Sequence, residues 1–166
     1  MTEGLENRKA GPVLAEAETE LEASDKNLAG VLSFIEQHLE KVSCPLKVQM
    51  EICLVAEEVF VNIAHYAYAP KKGHARVRLE ISGDPAVLTL TFMDAGMPYN
   101  PLEREDPDIT LPLKERSIGG LGILLTKKLM DEVAYAHQDG QNILTLKKIL
   151  VSRKKDTSPA DRKKKE

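Results

Sequence analysis

Residues 57–68 read Glu-Glu-Val-Phe-Val-Asn-Ile-Ala-His-Tyr-Ala-Tyr, placing Glu57, Glu58, Asn62 and His65 inside an otherwise apolar-periodic stretch. Glu58 and Asn62 are spaced to stack on one face of a helix. A carboxylate there can accept a proton from an attacking hydroxyl, and an amide oxygen is a hard ligand suited to Mg2+. Taken alone, the pair is as simply a solvated helix face. Together on a core helix, a carboxylate and an amide are costly unless something binds beside them.

Two further constellations could do complementary chemistry. Asp94 closes an apolar run and is followed by Ala95 and Gly96. A carboxylate at a strand end can accept a hydrogen bond from an exocyclic amine, while glycine removes the Cβ where a ring must come close. The bland alternative is an ordinary Asp-x-Gly turn. Gly119-Gly120-Leu121-Gly122 then opens an amphipathic segment. Converging amides at a helix N-terminus make an anion cradle suited to phosphates, against the plainer role of a glycine hinge. No Lys-Ser/Thr follows it, so it is not a P-loop, and no strand leads into it as a dinucleotide fingerprint requires.

The elements that must hold these residues follow from periodicity. Residues 13–23 mix alanines, acids and apolar residues, compatible with a first strand and equally with a helix. Ser24 or Asp25 can cap a helix whose face is Leu28, Val31, Leu32, Ile35 and Leu39, and Pro45 ends it. A second helix spans about residues 46–68, with Val48, Ile52, Val55, Val59 and Ile63 toward the core. Residues 75–82 alternate as a half-buried strand, Gly83-Asp84-Pro85 turns the chain, and residues 86–93 return as a second strand. Residues 99–118 hold three prolines and many charges, the mark of a functional loop or lid. After the glycines come a helix to about Asp131 and a closing hairpin, residues 132–137 and 142–150, around Asp139-Gly140. This order predicts an α+β two-layer sandwich, helices on one face of a mixed, mainly antiparallel sheet.

The bulk composition fits that frame. The chain has 166 residues, 42% hydrophobic, enough for one domain with its own core. Net charge is −3, which points to no polyanionic partner. Acids dominate residues 1–25 and bases residues 150–166. We therefore expect a flexible arm at 1–17, one domain at 18–150 and a basic tail at 151–166. That tail has no interleaved aromatics, which argues against direct nucleic-acid binding. Cys44 and Cys53 show no metal or redox spacing, and no apolar run reaches the length of a membrane span, so a cytoplasmic location is expected.

In order, spacing and context, the three constellations resemble the ATP-binding domain shared by gyrase, MutL, a heat-shock chaperone and sensor histidine kinases, the GHKL or Bergerat fold. The likeness is closest to its single-domain branch of anti-sigma factor serine/threonine kinases, to which Glu115-Arg116-Ser117 and residues 129–133 are also similar. That resemblance implies ATP and Mg2+ as cofactors, with Glu58 as general base, Asn62 as metal ligand and Asp94 as adenine reader beside Gly96. It implies that Gly120, Leu121 and Gly122 contact phosphates, with Arg116 and Ser117 reaching them from the lid. Thr145 is a looser candidate for the adenine wall. Pro98 stands where the fuller first glycine motif has its second glycine, and one residue is inserted between Arg116-Ser117 and the second glycine motif.

The activity so implied is phosphorylation of a STAS-type anti-anti-sigma protein, alternating with capture of a sigma factor or other regulatory protein. A homodimer is common in that branch. Two other readings share the same motifs: an ATP-binding module that sequesters a partner without phosphotransfer, and a GHKL ATPase.

Overall fold

Alternation decides the first element. Ala15, Ala17, Thr19 and Leu21 are half-buried while Glu16, Glu18, Glu20 and Glu22 are exposed, and the chain forms strand β1 (Val13–Glu22), not a helix. Opposite charges on the next strand favour this outcome. Glu16 Oε1 lies 2.8 Å from Arg78 Nη2, and Glu18 Oε1 lies 3.5 Å from Arg76 Nε. The strand starts at Val13, so residues 13–17, expected to belong to a flexible arm, are part of the sheet. The computed structural model describes residues 11–112 and 121–151.

Helix α1 (Leu28–Lys41) buries Val31, Ile35 and Leu39, and α2 (Leu46–Asn62) buries Val48, Ile52, Val55, Ala56, Val59 and Phe60. The long helix expected to reach residue 68 changes character on the way. Beyond Asn62 it widens into a π turn, Ile63–Ala67, a distortion common at functional sites. There the Ala67 carbonyl leaves the helix ladder and accepts the Met97 N–H at 2.9 Å.

Strands β2 (His74–Ser82) and β3 (Val87–Asp94) form the expected hairpin. Helix α3 (Leu121–Leu129) leads into β4 (Glu132–Gln138) and β5 (Gln141–Ile149). Asp139 and Gly140 both take positive φ, 53° and 75°, the geometry that a two-residue hairpin loop needs. The strand order is β1-β2-β3-β5-β4.

The parallel component expected of the sheet does not appear: every pairing among the described strands is antiparallel. The reason is topological. β3 and β4 run the same way, joined across α3 as in a βαβ unit, but β5 inserts between them and pairs antiparallel with both.

One face of this sheet supplies Val77, Leu79, Ile81, Leu90, Phe92 and Leu146 to a core shared with α1 and α2. β3 ends where β5 begins, so Asp94 and Asn142 are register partners at one end of the two central strands. That end is where the candidate site is built.

Candidate nucleotide site

Glu58 sits half-buried on α2, and the first turn of α3 comes directly against it. A Cβ built on Gly122 would overlap Glu58 Oε2, and would stand 3.2 Å from Cδ. Glycine lets α3 open beside that carboxylate without displacing it. Thr126, 1% exposed, donates from Oγ1 to the Gly122 carbonyl at 2.7 Å and stiffens the same turn.

The far end of α3 is fastened as well. Lys148, on the inner face of β5, lies 3.1 Å from Glu51 Oε2 of α2 and donates to the Leu129 carbonyl. A cation at a helix C-terminus complements its dipole. Thus α3 is tied toward α2 at both of its ends.

Asp94 is 7% exposed. Its Oδ1 accepts the Gly96 N–H at 3.0 Å and the Asn142 Nδ2–H at 2.9 Å. Its Oδ2 has no hydrogen-bond partner among the described residues. An acceptor that is fixed by one oxygen and open at the other suits recognition of an amine.

Gly96 is more constrained than Gly122, because what faces it is backbone. A Cβ there would collide with the Ala67 carbonyl, which also holds Met97 N–H. Tyr68 completes the join: its hydroxyl donates to the His74 carbonyl at 2.5 Å and accepts the Ala95 N–H at 2.8 Å. Burial is the chief cause that pushes this hydroxyl above its usual pKa, which keeps it a donor. The π turn at the end of α2 and the turn after β3 are therefore one connected unit.

Asn142 is the central residue that sequence reasoning missed. Besides Asp94, its Nδ2 reaches the Met97 carbonyl at 2.9 Å, while its Oδ1 accepts Tyr99 N–H at 3.1 Å and Tyr135 O–H at 2.5 Å. A signal was present. The inward positions of β5 read Asn142, Leu144, Leu146, Lys148, an apolar alternation with a polar residue at each end. Both end residues serve the site's framework.

Asn62 is exposed in the last turn of α2, one helical turn from Glu58. Leu121 is exposed at the start of α3. Arg116, Ser117 and Gly120 lie outside the described residues. Thr145 is corrected: alternation turns it away from the inward face of β5, opposite Thr91 on the other side of the sheet. His65 is a surface histidine, its Nε2 2.8 Å from Asp25 Oδ1.

Among the described residues, no three His, Cys, Asp or Glu side chains converge on a metal site. The amide oxygen of Asn62 suits Mg2+, which keeps most of its ligands as water and phosphate oxygens. The site thus fits a metal that arrives with a nucleotide, not one caged by protein.

Residues 21–148 match the family model described as the histidine kinase-like ATPase domain. The chain belongs to that family. Among relatives of this histidine kinase-like ATPase domain, the serine-protein kinase RsbW of Bacillus cereus is 26% identical over 98 residues. RsbW of Bacillus thuringiensis subsp. konkukian is similar to the same degree. Each match covers 58% of this chain and 61% of the relative, so the chain spans less than two thirds of their length. A crystal structure of the RsbU and RsbW domains of a Mycobacterium tuberculosis protein superposes with a TM-score of 0.57 at 17% identity, over 80% of this chain and 32% of that one. At that identity it shows the α+β fold of the histidine kinase-like ATPase domain. No helix among the described residues is long and apolar enough to cross a membrane.

Proposed function

We propose that this chain is an ATP- and Mg2+-dependent protein serine/threonine kinase acting as an anti-sigma regulatory factor. On this reading it phosphorylates a STAS-type anti-anti-sigma protein and, in the alternate state, holds a sigma factor or other regulatory protein. It works in the cytoplasm, as a homodimer where its branch is dimeric. The observation that carries the reading is the approach of Gly122 to Glu58, because it sets a candidate base against a candidate phosphate cradle. The likeness to serine-protein kinases of the RsbW type supports the choice of a protein substrate.

Asp94 accepts from the adenine amine through Oδ2, and Gly96 lets the ring approach. The amides that open α3, at Leu121 and Gly122, face the phosphates, with Gly120, Arg116 and Ser117 assigned to the same task. Asn62 would hold the Mg2+, which would neutralise phosphate charge. The substrate hydroxyl oxygen bonds to the γ-phosphorus as the bridging bond to ADP breaks, and Glu58 takes the hydroxyl proton. Fixed amides near developing charge and a positioned base supply most of the catalysis expected in such a site.

The deciding experiment incubates the chain with labelled ATP, Mg2+ and the STAS proteins of its organism. Transfer of label to Ser or Thr should occur and should disappear in Glu58→Ala and Asn62→Ala. Tight ATP binding with no transfer to any candidate would instead leave a nucleotide-dependent binding module. Phosphate release without acceptor labelling would make it an ATPase.

A further inference from the structure

Helix α2 is apolar on two sides. Its inner side carries Val48, Ile52, Val55 and Val59 into the core, yet Leu46, Met50 and Leu54 recur at four-residue spacing on the outside. They are 70%, 64% and 44% exposed. An outward helix face is ordinarily polar, and large apolar side chains aligned there mark an interaction site.

These three residues and Leu32 of α1 line a groove between the two helices. The charged residues lining it are Glu36 from α1 and Glu57 from α2, both acids. Cys53, also in the lining, donates its S–H to Glu36 Oε1 at 3.7 Å. The groove lies apart from Asp94, Gly96 and Gly122, but Glu57 is the neighbour of Glu58 in α2.

We propose that this groove is a docking site for an amphipathic helix of a partner protein. The partner's apolar stripe lies on Leu32, Leu46, Met50 and Leu54, and its flanking Lys or Arg residues pair with Glu36 and Glu57. In naming a regulatory protein as the partner, the inference rests on the partner-switching reading above. The charge pattern selects this occupant over two others. A second copy in a two-fold interface would present the same patch to itself, and with it the same two carboxylates. The chain's own residues 152–166 are basic, but their apolar side chains are only Pro159 and Ala160, too small to cover three Leu and a Met.

Docking here places the partner along α2 next to the nucleotide site, because Leu54 is one helical turn from Glu58. Glu57 faces the groove while Glu58 faces Gly122. A partner helix is thereby held beside the phosphate end of the site without occupying it.

The probe is a fluorescent peptide of Leu and Lys, about five helical turns long, with Leu at amphipathic spacing. Anisotropy titrations at physiological salt compare it with a scrambled peptide of the same composition and with a Leu/Glu peptide. The ordered Leu/Lys peptide should bind, and Met50→Lys should weaken it at least about tenfold. Glu36→Lys with Glu57→Lys should reverse the preference toward the Leu/Glu peptide. Equal binding of the scrambled peptide, or unchanged binding to Met50→Lys, overturns the proposal. So does sedimentation showing a wild-type dimer that Met50→Lys converts to monomer, which would give the groove to a second copy. Met50 is exposed, so its variant keeps the fold, checked by thermal melting, and keeps its affinity for ATP. If the wild-type chain binds no ATP, the kinase reading fails, while the peptide titrations still decide the groove.

Discussion

Gly122 stands so close to Glu58 that any side chain at position 122 would claim the space of the Glu58 carboxylate. The relation joins the start of α3 to the C-terminal part of α2, two segments far apart in sequence. It also separates stability from activity. The obstructing atoms are the far end of a flexible side chain, so Gly122→Ala should fold, with a loss below about 1 kcal/mol in denaturant titration. Displacing Glu58 by a fraction of an ångström to an ångström should lower phosphotransfer on the order of 100-fold. Near-normal turnover in a stable Gly122→Ala protein would remove Glu58 from the reaction.

Asn142 and Asp94 make the second pair to test. Asn142→Ala strips Asp94 Oδ1 of one donor and leaves Met97 O, Tyr99 N–H and Tyr135 O–H without that partner. A loss of about 1–3 kcal/mol in stability is expected from such orphaned groups. ATP affinity should fall with it. Asn142→Asp should be worse for ATP, since it sets a second carboxylate against Asp94 and replaces a donor with an acceptor. Calorimetric titration of the two variants distinguishes these outcomes, and equal affinities would place Asp94 outside the nucleotide site.

The Lys148–Glu51 pair predicts a non-additive pattern. Lys148→Met alone leaves Glu51 half-sealed beside α3 without its cation, at a cost toward the lower end of ~3–5 kcal/mol because Glu51 keeps some solvent contact. Glu51→Leu added to it should recover much of that stability. ATP affinity should track the position of α3 and stay reduced in the double variant, because the clamp on the Leu129 carbonyl is still missing. Thermal melts and ATP titrations on the three proteins test the pattern; full recovery of both would make the pair a matter of stability alone.

Cys53 has a pKa raised to about 11, first by burial and then by the charge and hydrogen bond of Glu36. Alkylation requires the thiolate, so Cys53 should react slowly near neutral pH and accelerate only in strong alkali. For stability the sign is fixed. The fold favours the neutral thiol, so its contribution is intact below the unfolded thiol's pKa and is lost as pH rises from there toward the folded value. Glu36→Gln removes the charge while leaving an amide oxygen that can still accept the S–H, and should lower the pH at which alkylation rises. Mass spectrometry of iodoacetamide labelling against pH reads both effects.

Much of this protein was legible in its sequence because local patterns match local structure. The helical faces of α1 and α2, the β2–β3 hairpin and the Asp139-Gly140 turn follow from periodicity and from φ requirements that few residues meet. So does the order of the candidate residues Glu58, Asn62, Asp94, Gly96 and Gly122. What composition and periodicity together could not decide was β1, because alanine and glutamate favour helix while their alternation favours a strand, until Arg76 and Arg78 stand opposite. Nor could they exclude a parallel ladder, since whether β5 inserts between β3 and β4 is a question of topology.

The tertiary structure alone decided which polar residues act together. Asn142 and Lys148 look like breaks in an apolar strand until folding brings one to Asp94 and the other to Glu51 and the end of α3. Thr145 was a looser candidate for the adenine wall, and a strand's two-residue period turns it to the opposite face. The sequence by itself determined most of the elements and the candidate groups, because these depend on residue type and near-neighbour spacing. The meeting of Glu58 with Gly122 depended on packing between distant segments, which no local pattern encodes.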